Sequence, residues 1–319
     1  MDDHIKNIIL SLTESKQILN EELIQNLWSG YGQLKRVTLD KKSIILKLIK
    51  YPSSQDHPKG WNSDISHNRK VKSYQVEQSW YKNYNENIRN AYFPKYISSG
   101  ELSSTTYLIL EDLLDFGFSP KNSINWDQVK LCLKWLATFH AKNLGVKPNQ
   151  LWEIGTYWHL ETRPDELEAL EKEDYDLKNS APLINKKLNS SKFQTIVHGD
   201  AKLANFLFNK NEVAAVDFQY VGGGVGVKDV AYFLSSIYNE DELSDNENKC
   251  LNYYFKELIE ITHSFNPSID LKLLETDWRE LYSFAWCDFL RFLKGWSPKH
   301  FKINSYSEKI KKKVLNDFK

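Results

Sequence analysis

Apolar residues recur along this chain with two different periods, and the change from one to the other divides it. Ile5, Ile8, Ile9 and Leu12 fall three and four residues apart, the spacing of one face of a short amphipathic helix. From Leu27 the pattern is that of strands. Trp28-Ser29-Gly30-Tyr31-Gly32 reads as a tight backbone between two of them, Asp40-Lys41-Lys42 as a turn, and residues 43–49 as a β-rich run with one charge in its middle, Lys47. Residues 51–69, polar and rich in Pro, Ser, Asn and Asp, predict a long loop. Residues 70–83 predict a helix carrying Glu77, and residues 105–110 a further strand ending in Glu111-Asp112.

After Leu113 the helical period takes over. Residues 126–144 put Val129, Leu133, Leu136, Ala137 and His140 on one face. Residues 165–176 are acidic and predict a solvated helix or loop. Short β-like pieces occur at 195–197, 206–208 and 213–216, and helical patterns fill 229–238, 242–263, 271–293 and 306–318. A strand-rich N-terminal part thus meets a helix-rich C-terminal part near residues 111–116, which predicts an α+β, two-lobed architecture with lobes at 1–112 and 113–319. The 319 residues suffice for a core in each lobe, and ligand sites often lie between such lobes.

Composition narrows the partners. Lys plus Arg and Asp plus Glu each total 42, so the chain lacks the basic excess of a nucleic-acid binder. The basic run at Lys309, Lys311, Lys312 and Lys313 reads as the solvated face and last turn of a terminal helix. Cys132, Cys250 and Cys287 are far apart and form no CxxC, so no zinc site or disulfide framework is signalled. No window approaches the roughly 18 apolar residues of a membrane span, and the start of the chain lacks the apolar stretch of a signal peptide. The expectation is a cytoplasmic protein with no membrane or nucleic-acid partner.

The chemistry concentrates in Val197-His198-Gly199-Asp200-Ala201-Lys202-Leu203-Ala204-Asn205, followed by Ala215-Val216-Asp217-Phe218-Gln219. Phosphoryl transfer needs a base for the attacking hydroxyl, oxygen ligands for Mg²⁺ and positive charge on the phosphates. Asp200 can supply the first. Asn205 and Asp217 offer the hard oxygens that Mg²⁺ prefers, and Lys202 can stabilise the transferring group. Each residue alone reads more simply as a turn former or strand cap. Their joint order does not, because His198-x-Asp200-x-Lys202-x-x-Asn205 has the order of the protein-kinase catalytic loop, and Asp217-Phe218-Gln219 stands where those kinases carry Asp-Phe-Gly.

His-Gly-Asp-x-x-x-x-Asn followed by Asp-Phe-Gln resembles the aminoglycoside phosphotransferase and choline kinase group of small-molecule kinases. It looks closest to the ecdysteroid-kinase-like branch, where Asp-Phe-Gln recurs together with a downstream Asp-x-x-Tyr-Phe-Leu, here Asp229-Val230-Ala231-Tyr232-Phe233-Leu234. The likeness runs over residues 27–238 and implies a protein-kinase-like fold with ATP between an N-terminal nucleotide-binding lobe and a C-terminal catalytic and acceptor-binding lobe. By that likeness Gly30 and Gly32 belong to a short phosphate loop, which lacks the third glycine of the kinase pattern. Lys47, with Lys50 as its rival by position, pairs with the phosphates and with Glu77, which sits in a Ser-Tyr-x-x-Glu segment resembling the family's. The backbone at Glu111 meets the adenine. His198 supports its loop through hydrogen bonds, Asp229 caps a helix and braces that loop, and His140 reads as a satisfied core histidine.

The implied cofactors are ATP and Mg²⁺, and the partner is a small-molecule alcohol: choline-like, aminoglycoside-like or sterol-like. Asp277, Trp278, Tyr282, Trp286, Asp288 and Trp296 offer aromatics and acids for a cationic acceptor, although Trp278, Tyr282, Trp286 and Phe289 also recur as a helical core stripe. The alternative function is a catalytically inactive nucleotide-binding pseudokinase; Lys47, Asp200, Asn205 and Asp217, all present, argue against it. A protein kinase is disfavoured further, because no Ala-Pro-Glu and no long activation segment follow Asp217.

Overall fold

The computed structural model describes residues 2–27, 30–50, 63–84, 91–102 and 104–318. Five strands, β1 (Ile18–Asn26), β2 (Gly32–Leu39), β3 (Ser43–Lys50), β4 (Tyr96–Leu102) and β5 (Thr105–Glu111), form an antiparallel sheet in the order β1-β2-β3-β5-β4. Strand alternation divides β3 between two faces. Ile44 and Leu46 join Val37, Leu39, Tyr107 and Ile109 under Ile5 and Ile9 of helix α1 (Asp3–Thr13). Ile45, Lys47 and Ile49 lie on the other face, where helix α2 (Ser63–Asn83) packs through Tyr74, Val76 and Trp80. A lysine thus sits in an apolar strand because its face is turned toward a helix that carries an acid.

One sequence expectation fails here, and two strands were not foreseen. Residues 63–69, read as loop, are the first turns of α2, while residues 51–62 of that segment lie outside the described residues, as do Trp28 and Ser29. The polar start of α2 is held by tertiary contacts: the Tyr31 hydroxyl is 2.6 Å from His67 Nδ1, and Arg69 Nη1 donates to the Thr162 carbonyl at 2.7 Å. Strands β1 and β4 carry no clear apolar alternation because they are the two sheet edges; β1 is largely exposed and its register against β2 slips twice.

The rest of the chain is mostly helical: α3 (Trp126–Lys142), α4 (Pro164–Glu173), α5 (Tyr175–Asn189), α6 (Val227–Ile237), α7 (Glu240–Phe265), α8 (Leu271–Trp296) and α9 (Ser305–Asn316). Helix α8 is the hub and packs on α4, α5, α6 and α9, while α3 packs on α7. Residues 165–176 are helical across most of their length but not simply solvated, since Glu166 and Leu170 of α4 are buried. The aromatic stripe of α8 is core. Trp278 Nε1 donates to the Phe193 carbonyl and Trp286 Nε1 to the Tyr282 hydroxyl. The nearby acids are spent within the protein: Asp288 accepts from Trp158 and Arg291, and Asp277 from Ser191. All three cysteines are buried free thiols. In the basic terminal run Lys309, Lys312 and Lys313 are exposed, whereas Lys311 pairs with Asp174 and Glu308 at 2.6 Å each. No helix among the described residues is long and apolar enough to cross a membrane.

Short strands frame what lies between sheet and helices. β7 (Thr195–Val197) pairs with β10 (Gly222–Gly224), and β6 (Ser119–Pro120), β8 (Phe206–Phe208) and β9 (Val213–Ala215) form a three-stranded sheet. Segments 198–205 and 216–221 are the links between these strands, so their ends are fixed by backbone pairing.

Candidate active site

On the sheet side, Lys47 Nζ donates to both carboxylate oxygens of Glu77, at 2.9 and 2.7 Å, and lies 3.6 Å from Asp217 Oδ1. Lys47 and Glu77 are both nearly inaccessible, which a lysine tolerates only when paired. Burial pulls the Lys47 pKa down, but Glu77 and then Asp217 outweigh it, and the net shift is upward. Burial likewise pushes Glu77 up, with Lys47 opposing. The rival, Lys50, is exposed at the end of β3, so Lys47 is the lysine that faces the interior.

Gly30 and Gly32 close the β1–β2 turn. Leu27 N–H donates to the Gly32 carbonyl at 2.8 Å, and a Cβ on Gly32, at φ +132°, would fall 1.9 Å from the Leu48 carbonyl oxygen. Only glycine fits there. Tyr31 between them is buried with Leu27, Ile49 and Tyr74, which ties the turn to α2. Glu111 ends β5; its N–H is already donated to the Lys95 carbonyl at 2.9 Å, and its carboxylate lies near the Lys95 side chain. The adjacent Asp112 carboxylate is spent on Arg36 Nε at 2.5 Å and on the Leu114 N–H, capping a single 3-10 turn.

On the helical side, the 198–205 segment is an interlocked loop. Asn205 Nδ2 donates to the Asp200 carbonyl at 2.8 Å and to Asp200 Oδ2 at 3.1 Å, and Lys202 Nζ donates to the same Oδ2 at 2.8 Å. Asp200 Oδ1 is buried with no hydrogen-bond partner among the described residues. Burial pushes the Asp200 pKa up and the Asp217 charge adds to this, against the opposing pull of Lys202. His198 accepts the Asp200 N–H on Nδ1 at 3.2 Å, which leaves Nε2 to donate to the Val216 carbonyl at 3.0 Å. Gly199 takes φ +80°, where a Cβ would meet the Tyr220 carbonyl oxygen at 2.0 Å. Asp229, in the first turn of α6 rather than at its cap, accepts the N–H groups of His198 (2.6 Å) and Gly199 (2.9 Å) and contacts His140 Nε2 at 3.1 Å. His140 completes the chain with its Nδ1 against the Tyr254 hydroxyl at 2.8 Å.

Asp217 adopts φ +66°, a left-handed conformation uncommon for a side-chain-bearing residue. Gln219 accounts for it: its Nε2 donates to Asp217 Oδ1 at 2.6 Å, while its Oε1 accepts from Lys70 Nζ at 2.8 Å and Ser73 Oγ at 3.3 Å. Burial raises the Asp217 pKa, but Lys47, Lys202 and Lys70 together hold it below the usual carboxylate range. It is therefore an ionised carboxylate with its Oδ2 free of hydrogen bonds among the described residues. Asn205, whose amide nitrogen is spent on Asp200, likewise keeps its oxygen free. One carboxylate and one amide oxygen are a donor set suited to a hard divalent cation such as Mg²⁺.

Lys47, Glu77 and Asp217 are thus brought into one charge network, and Lys202 links Asp217 electrostatically to Asp200 and Asn205. Sequence reasoning missed the Lys70–Gln219–Ser73 clamp. A signal existed, because Lys70, Ser73, Tyr74 and Glu77 are spaced three to four apart and share one face of α2.

Three solved structures share this architecture. Choline kinase from Cryptosporidium parvum Iowa II superposes with TM-score 0.58 at 14% identity, covering 99% of this chain and 97% of its own. A microcompartment-associated aminopropanol kinase gives 0.53 at 13%, covering 99% and 94%. A spectinomycin phosphotransferase solved with ADP and spectinomycin gives 0.50 at 13%, covering 97% and 93%. At such identities they establish a kinase-like fold. No curated protein sequence matches the chain. The sequence pattern of the ecdysteroid kinase-like family matches residues 35–157 and 154–266, and with more than half of its length so matched the chain belongs to that family of kinase-type small-molecule phosphotransferases.

Proposed function

We propose that the protein transfers the γ-phosphate of ATP to a hydroxyl of a small molecule, with residues 1–112 as the nucleotide lobe and 113–319 as the catalytic and acceptor lobe. The observation that carries this reading is the pairing of two unlike carboxylates: Asp217, ionised beside Lys47, and Asp200, buried beside Lys202 and Asn205 with one oxygen that makes no hydrogen bond among the described residues. Asp200 orients the acceptor hydroxyl and takes its proton as the oxygen–phosphorus bond forms and the bond to the ADP oxygen breaks. Lys202 offsets charge on the transferring phosphoryl group. Lys47, fixed by Glu77, holds the α- and β-phosphates, the turn at Gly30 and Gly32 covers them, and the backbone around Glu111 receives the adenine. Asn205 and Asp217 hold Mg²⁺, which neutralises phosphate charge when bound. Reliance on ATP fits a cytoplasmic location. The three likenesses in fold are to proteins named for amino or hydroxylated small-molecule acceptors, which supports an alcohol as acceptor.

Replacing either proposed metal ligand tests this. In Asn205→Ala and Asp217→Ala, ADP affinity measured by calorimetry loses its dependence on Mg²⁺, by about tenfold or more, while metal-free ADP binding stays close to that of the parent. A Mg²⁺ dependence equal to the parent's in both variants removes these residues from the metal site.

A further inference from the structure

Asp200 and Asp217 sit in two loops that bond each other directly at one side. There the Val216 N–H donates to the Asn205 carbonyl at 2.9 Å, and His198 Nε2 to the Val216 carbonyl at 3.0 Å. At the other side Gly199 meets Tyr220. The two backbone groups engaged there are both carbonyls, and two acceptors cannot bond each other. A third segment supplies the donors. The Thr156 N–H goes to the Tyr220 carbonyl and the next one, of Tyr157, to the Gly199 carbonyl, at 3.1 Å each. Upstream, Trp152 Nε1 donates to the Gln219 carbonyl at 2.8 Å, the Trp152 N–H to the Val221 carbonyl at 3.2 Å and the Gly155 N–H to the Gly223 carbonyl at 2.7 Å. Residues 152–157 thus run beside the Asp217 loop and then cross to the Asp200 loop. The crossing is close, because a Cβ on Gly199 would fall 2.8 Å from the Thr156 nitrogen as well as 2.0 Å from the Tyr220 carbonyl oxygen.

The crossing is also strained. Thr156 has φ +95°, a conformation that β-branched residues rarely adopt. Its hydroxyl is buried with no hydrogen-bond partner among the described residues, so side-chain bonding does not offset the cost. The backbone around it does. Ahead of Thr156 the chain is fixed by the bonds to 219–223. Behind it the next two carbonyls are gripped by arginines, that of Tyr157 by Arg163 Nε at 2.6 Å and that of Trp158 by Arg291 Nη2 at 2.7 Å. Each arginine is fixed in turn by an acid, Arg163 by Glu166 at 3.0 Å and Arg291 by Asp288 at 2.8 Å, and all four side chains are buried. Strain of this kind persists where the surroundings over-determine it, and such places cluster at sites of function.

We propose that residues 152–158 are a strap that sets how the Asp200 loop sits on the Asp217 loop, and that Thr156 and Tyr157 are positioning residues for phosphoryl transfer, acting through their N–H groups. The proposal rests on the kinase reading for what Asp200 does. It adds what holds Asp200 in register with Asn205 and Asp217. In-line transfer needs the base and the metal ligands at a fixed separation, so a slip between the loops costs rate more than nucleotide affinity.

The test removes one N–H group and keeps the side chain. Tyr157 is replaced, by nonsense suppression, with its α-hydroxy acid analogue 4-hydroxyphenyllactate, so that an ester oxygen stands where the N–H was. Tyr175, an exposed residue at the start of α5, takes the same replacement as a control. Amide hydrogen exchange followed by mass spectrometry requires no turnover. Exchange across residues 198–205 rises about five- to tenfold in the Tyr157 ester, the worth of one backbone hydrogen bond. Exchange in α5, and at 198–205 in the Tyr175 ester, stays at the parent's rate. In the Tyr157 ester kcat for phosphate transfer falls about tenfold or more, while KM for ATP stays within about twofold of the parent's. Arg163→Lys can serve Glu166 or the Tyr157 carbonyl but not both. It moves the two readouts in the same direction and carries the test if the ester chain does not fold. Unchanged exchange at 198–205, a rise shared equally by α5, or a transfer rate equal to that of an active parent overturns the proposal. The expected local rise, in a parent that transfers phosphate to no alcohol, supports the strap and counts against the kinase reading instead.

Discussion

Two buried aspartates, Asp200 in the 198–205 loop and Asp229 at the start of α6, are joined through the same short backbone yet are solvated by the protein in opposite ways. Both oxygens of Asp229 are engaged, by two main-chain N–H groups and a histidine, and although burial pushes its pKa up, His140, His198 and the Gly199 N–H hold it below the ordinary value. Asp200 has one oxygen shared by Lys202 and Asn205 and the other without a hydrogen-bond partner among the described residues, and its pKa is raised by burial. A carboxylate whose acceptor sites are all filled is a structural member; one kept buried with an open site has capacity left for a ligand. The contrast separates a brace from the carboxylate proposed as base without reference to sequence position. It also accounts for Gly199, whose left-handed backbone lets two successive N–H groups converge on Asp229.

The largest effect that can break this contrast is on rate. Asp200→Asn should lower acceptor-dependent ADP release by about 10²–10⁴-fold, the usual contribution of a positioned base, with a melting temperature at or above the parent's because a buried charge is removed. Asp229→Asn should act in the other direction, destabilising the fold by roughly 2–5 kcal/mol in urea titrations through loss of a buried acceptor for two N–H groups. Its pH dependence follows from the depressed folded pKa. The stability Asp229 contributes is complete above its unfolded pKa of about 3.9 and is lost as pH falls through the lower folded value, so parent and variant curves should converge on acidification. A gap between them that stays constant to low pH would remove the charge from the account. The smallest effect belongs to Gln219→Ala, which frees Asp217 from its clamp: Mg²⁺-dependent ADP affinity should fall by less than about tenfold, short of the loss in Asp217→Ala. Equal losses would mean that Gln219 itself meets the nucleotide or its metal.

How legible this was in the sequence depends on how local each feature is. His198, Asp200, Lys202, Asn205 and Asp217 were readable because the loop is closed by short strands whose apolar runs flank it directly. Lys47 was readable as a charge out of place in an apolar strand. Its pairing with Glu77 is a contact that no local pattern encodes. Edge strands β1 and β4 escaped because an edge needs little burial. The first turns of α2 escaped because Ser, Asp, His and Asn read as loop until Tyr31 and Thr162 supply partners from elsewhere in the chain. Lys302 carried no signal at all, since its contact with Ser235 and Tyr232 of α6 is made by the turn that follows α8.

The most direct test of the central claim follows the phosphate itself. The protein is incubated with Mg²⁺, ATP labelled at the γ-position and a mixture of small hydroxylated compounds spanning cationic, neutral and anionic alcohols. A labelled phosphate monoester should form in step with ADP and be lost in Asp200→Asn. Tight Mg²⁺-dependent nucleotide binding with the label remaining in ATP, or released only as inorganic phosphate across the whole mixture, would contradict transfer to an alcohol and leave a nucleotide-binding protein that does not carry out the reaction.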